Sequence, residues 1–91
     1  MPRASVSPSV PEYSAVASRV RETLNRNLGE NSAVETEEGY EGRVRVKVVS
    51  SRLNGMKERQ KQNYLWEILQ SELGELSQRV SFVVGYGMDE L

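Results

Sequence analysis

A chain of 91 residues, 37% hydrophobic and 27% charged, has room for one domain around one modest core. Its formal net charge of −1 supplies no global field toward nucleic acid or an acidic membrane surface, so any such contact needs a local patch. Cysteine and histidine are both absent, which excludes disulfides, thiolate chemistry, the usual neutral-pH general base and the commonest metal ligands.

Residues 1–9 are small, Ser-rich and hold two prolines, and read as a tail ahead of a single domain over residues 10–91. Ser9-Val10-Pro11-Glu12 has the Ser-x-x-Glu spacing of a capping box, with Pro11 tolerated in a first helical turn. The helix it opens repeats Val16, Val20, Leu24 and Leu28 in four-residue steps, flanked by Tyr13 and Ala17, and Gly29 is placed to end it. Arg19, Arg21, Glu22 and Arg26 fall on its solvent side. Ala33 to Glu38 reads as a short acidic strand, and Gly39-Tyr40-Glu41-Gly42 as a turn. The clearest strand comes next, at Arg43 to Val49. Val44, Val46 and Val48 point one way and Arg43, Arg45 and Lys47 the other, a strict period of two. If the two strands form a hairpin, Glu35 and Glu37 sit across from that basic row, which then reads first as a solvated face.

Asn54-Gly55 signals a turn, and Ser51 or Asn54 is placed to cap the second helix. A short extra helical turn is compatible with residues 52–58. The long helix runs from Lys57 to Leu76 with an apolar stripe of Tyr64, Leu65, Ile68, Leu69, Leu73 and Leu76, and Trp66 at its edge. Gly74 interrupts the period at a cost of about 1 kcal/mol relative to alanine, and is a natural stopping point. RVSFVVGY, residues 79–86, reads as the final strand, with Val80, Phe82 and Val84 assigned to the core. Met88 to Leu91 reads as an acidic exit.

Catalytic constellations are thin. Glu35/Glu37/Glu38, Glu72/Glu75 and Asp89/Glu90 fall on a strand, a helix surface and a tail, not across one cleft. The serines lack a histidine to activate them, and Gly85-x-Gly87 lacks the third glycine and following helix of a phosphate loop. The chain therefore reads as a non-enzyme. Arg52, Lys57, Arg59 and Lys61 gather around the start of the long helix, where a helix N-terminus and flanking cations suit a partner's carboxylates or a phosphate. No apolar run approaches the roughly 20 residues that span a bilayer, and MPRASVSPSV lacks the hydrophobic region of a secretory signal, so a cytoplasmic setting without membrane contact is expected.

From Val46 onward, VKVVSSRLNGMKERQKQNYLWEIL resembles the BolA-like family. A strand ending in a polar step appears as Val48-Val49-Ser50-Ser51, then Leu53, then Gly55 two residues later, then a helix with Tyr64, Leu65 and Leu69 in register. The likeness spans residues 12–91. It implies an α+β, class-II-KH-like fold, α-β-β-α-α-β, with helices on one face of a three-stranded sheet. It also implies a partner of the monothiol glutaredoxin kind sharing an iron–sulfur cluster, or in some members DNA. This chain departs where the family carries its histidines. Lys61-Gln62 stands for an Arg-His pair, and Ser81 is the best match to the histidine that opens the last strand. No conventional cluster ligand remains, so no cofactor is expected. The function this implies is a protein-binding, regulatory domain, monomeric or weakly homodimeric. Its candidate partner-binding residues are Arg52, Lys57, Arg59, Lys61, Gln62 and Ser81. The alternative is nucleic-acid binding through Arg43, Arg45, Lys47, Arg52 and Lys57, although no Gly-x-x-Gly clamp is present.

Overall fold

The structure, a computed structural model, describes residues 12–29 and 31–91. The capping box expected at Ser9–Glu12 and the tail over residues 1–9 lie outside them, apart from Glu12. Helix α1 runs over Tyr13–Leu28 and buries Val16, Ala17, Val20, Leu24 and Leu28, the stripe the periodicity predicts. Gly29, at φ +86°, closes it by donating its N–H to the Asn25 carbonyl at 3.0 Å.

Strand β1, Ser32–Glu38, pairs antiparallel with β2, Val44–Ser50, around a 3-10 turn at Tyr40–Gly42. A second 3-10 turn, Ser51–Leu53, leads to α2 at Glu58–Leu73. Neither Ser51 nor Asn54 caps α2. The Gln60 side chain does so from inside, accepting the Lys57 N–H at 2.9 Å. Asn54 instead accepts the N–H of Asp89 at 3.2 Å. Gly74, at φ +58°, stops α2, and a 3-10 segment, Gly74–Arg79, delivers the chain to β3 at Val80–Gly87.

β3 lies parallel to β2, giving the order β1-β2-β3 with α2 as the crossover. The architecture is α+β: a helix, a three-stranded mixed sheet, a second helix and a final strand. α1 packs on β1 and β2, α2 packs on β3, and the helices touch each other. One sheet face, carrying Val44, Val46 and Val48, is thereby buried, while Arg45 and Lys47 stand exposed on the other. No described helix is long and apolar enough to cross a membrane.

The assignment of β3 to the core needs correction. The register steps from Val44↔Val80 to Arg45↔Phe82, leaving Ser81 as an extra residue. Such a bulge exchanges the two faces of everything beyond it. Val80 and Val83 are buried, whereas Phe82 is 43% exposed and Val84 only partly covered. Gly85 takes the inner place opposite Val48. A Cβ there would lie 2.8 Å from Cδ1 of both Leu53 and Leu65, so the glycine lets α2 settle directly on the strand.

Candidate functional site

Two exposed regions hold five of the predicted cations, while Arg43, just ahead of β2, donates Nη1 to the Gln78 carbonyl at 3.1 Å. At the end of the sheet where β2 and β3 finish, Arg52, Lys57 and Arg59 are exposed around the entrance to α2. On the uncovered sheet face, Arg45 and Lys47 stand between two different neighbours. On the β1 side lie Glu37 and Glu35, with Arg45 Nε 3.5 Å from Glu37 Oε1. On the β3 side lie Phe82 and Tyr86. The Arg45 guanidinium sits 4.7 Å from the Phe82 ring centre and Lys47 Nζ 5.8 Å from that of Tyr86. Phe82 and Val84 floor a shallow depression walled by Arg45, Lys47, Glu35 and Glu37, with Tyr86 further along the same face.

The expected partner-binding set does not converge. Ser81 is exposed, but at the opposite end of β3 from Gly87, about 20 Å from the α2 entrance along a strand of this length. Lys61 is not a surface cation at all: it is 1% exposed. Its four-carbon stem runs through the core and its Nζ meets Glu90 at 2.8 and 2.9 Å and Glu58 at 3.0 Å. The hydrogen bond to Glu90, then that to Glu58, raises the Lys61 pKa above its ordinary value despite burial. Glu90 is lowered in turn, first by Lys61 and then by the Gly87 N–H it accepts at 2.6 Å. Gln62 is likewise engaged internally, donating Nε2 to the Val83 carbonyl at 2.7 Å. Lys61 and Gln62 are thus parts of the fold, and Arg52, Lys57 and Arg59 remain as the accessible cations of that set.

The acidic exit is also not a loose tail. Met88–Glu90 forms a 3-10 turn, and Asp89 accepts the Gly55 N–H at 3.0 Å. Sequence reasoning misses this because a Lys at 61 and a Glu at 90 carry no mutual spacing signal. It misses Phe82 and Tyr86 as surface groups for a related reason. Val80-Phe82-Val84 and Val83-Gly85 are equally credible inner rows until the bulge is known. Trp66 is half-buried at the core margin, as its position on the helical wheel predicts. Among the described residues, no cluster of three or more acidic side chains is arranged to hold a metal ion.

No protein-family model matches the chain, and no curated protein matches it.

Proposed function

We propose that this chain is a non-catalytic, cytoplasmic interaction domain of the BolA-like, class-II-KH-like kind that binds a protein partner through its uncovered sheet face. The observation that carries the reading is that face itself: Phe82, Val84 and Tyr86 follow one another on the uncovered face of β3, beside Arg45, which pairs with Glu37 at 3.5 Å, and Lys47, whose register partner is Glu35. An apolar, aromatic centre with its cations next to carboxylates suits a protein surface better than a polyanion. The sheet face measures about 14 by 23 Å, or roughly 300 Å², well under the ~800 Å² a standard partner covers. Contact therefore extends over the sheet end to Arg52, Lys57 and Arg59. The resemblance to BolA-like proteins supports a glutaredoxin-like partner, bound without ligating its cluster because no His or Cys is present.

The test is a photo-crosslinking residue at position 82, with one at the solvent-facing position 19 as control, in extract and then with each captured protein purified. The reading expects a protein adduct at 82 only, competed by unlabelled chain but not by the F82S/Y86S variant. Equal labelling from both positions, or none, counts against it. A second reading, single-stranded nucleic acid, is favoured by one feature: two cation-flanked rings four residues apart, about 13 Å, on one strand. A fluorescent oligonucleotide that binds at low salt, releases steeply as salt rises and is lost in F82S/Y86S selects that reading over the first.

A further inference from the structure

The sheet has two edges, and their backbone groups are treated differently. The phase of the β1–β2 ladder is set by two bonds at its ends, Gly39 N–H to the Arg43 carbonyl at 2.7 Å and Ser51 N–H to the Asn31 carbonyl at 3.1 Å. By alternation, Ala33, Glu35 and Glu37 exchange their bonds with Val49, Lys47 and Arg45. Val34 and Thr36 then turn both N–H and C=O outward. Among the described residues, no hydrogen bond from outside the sheet reaches these four groups. On the other edge the outward carbonyl of Val83 is taken by Gln62.

Charge says what the open edge accepts. Glu35 and Glu37 stand exposed at alternate positions on the uncovered face, with Glu38 at the strand's end. Glu37 reaches only Arg45, at 3.5 Å, and Glu35 makes no ion pair among the described residues. A second copy of β1 laid alongside would set acidic rows against each other, which disfavours self-pairing. A strand with Lys or Arg at alternate positions would instead place cations beside Glu35 and Glu37, repeating from outside what Lys47 and Arg45 do from inside. On the helix side, Arg21 Nη1 holds Thr36 Oγ1 at 2.7 Å, a polar margin suited to small residues between the cations. We propose that the outer edge of β1 accepts, by strand addition, an extended partner segment with Lys or Arg at alternating positions, centred on Val34–Thr36. This site stands on the backbone of β1 and does not depend on the reading of the uncovered face.

The experiment uses the full chain, labelled with ¹⁵N, and a capped peptide of alternating lysine and threonine. At a peptide concentration about ten times its Kd, amide exchange at Val34 and Thr36 slows about tenfold. Two control peptides, one with glutamate for lysine and one N-methylated on the amides facing β1, give no such protection. The E35K/E37K chain loses the lysine peptide and gains the glutamate peptide, and the milder E35Q/E37Q variant loses affinity if the first variant does not fold. Four results overturn the proposal: no protection at Val34 and Thr36, equal binding of the N-methylated peptide, shifts confined to Phe82 and Tyr86, or slow exchange of Val34 and Thr36 before peptide is added.

Discussion

At the outer edge of β3, Gln62 of α2 bonds the Val83 carbonyl, whereas along the outer edge of β1 no hydrogen bond among the described residues reaches the outward backbone groups of Val34 or Thr36, beside two glutamates. The difference arises from connectivity. Parallel strands need a crossover long enough to lay a helix on the sheet, and here that helix is α2, packed on β3. An antiparallel pair needs only a tight turn, so β1 arrives with no covering element of its own, and α1 packs on its face. On the β3 edge a helix side chain takes one outward carbonyl, whereas the β1 edge is flanked by charge, which is selective.

The contrast is most strongly broken at Gly85. G85V drives its side chain into Leu53 and Leu65, lifts α2 from β3 and costs about 1–3 kcal/mol in urea unfolding. Amide exchange along β3 should rise with it. A smaller loss is expected from E90Q, since Glu90 is 39% exposed and water replaces part of what Lys61 supplied. Its pH signature has a definite sign. Glu90 is lowered from 4.5, so its contribution is present above that value and fades as pH falls through the lower folded pKa. Lys61 is raised from 10.5, so its contribution is complete below that value and fades as pH rises through the higher folded pKa. E90Q should flatten the acid-side change in the urea midpoint, and an unaltered acid profile would show that the pair does not stabilise the fold.

Gln62 sharpens the comparison directly. Q62L leaves the Val83 carbonyl without its partner and should cost about 0.5–1.5 kcal/mol, with a lower urea midpoint and an unchanged m-value. F82S sits on the uncovered face, where the loss is limited to the Arg45 contact and part of a half-exposed ring. About 0.5–1 kcal/mol is expected, and a much larger value would mean that the ring is core after all. E35V/E37V should move stability by no more than about 0.5 kcal/mol yet remove the guard on β1. Sedimentation velocity should then show concentration-dependent self-association absent from the wild-type chain.

Much of this fold is legible residue by residue. The four-residue steps of Val16 to Leu28, the valine alternation at 44, 46 and 48, the glycine-bounded turn at 39–42 and the stop at Gly74 each act through local geometry, and each appears where the pattern puts it. The candidate site is legible only in part. Arg45 and Lys47 stand exposed as read, because alternation is a local rule. Lys61 does not, because a lysine whose stem is in the core and whose amine finds a distant carboxylate looks, in sequence, like any lysine in a first helical turn. The expected partner-binding set puts Ser81 with Lys57 and Arg59, yet the parallel course of β3 sets it at the far end of the sheet.

The amino-acid order alone therefore determined the helices and strands, the inner faces of α1, β2 and α2, and the lack of imidazole and thiol, since periodicity and composition act over a few residues at a time. Tertiary structure decided which face of β3 is buried, which cations reach solvent and which sheet edge is left open. Those outcomes depend on one unpaired residue at Ser81 and on contacts between groups some thirty positions apart, such as Lys61 and Glu90, whose meeting no local pattern encodes.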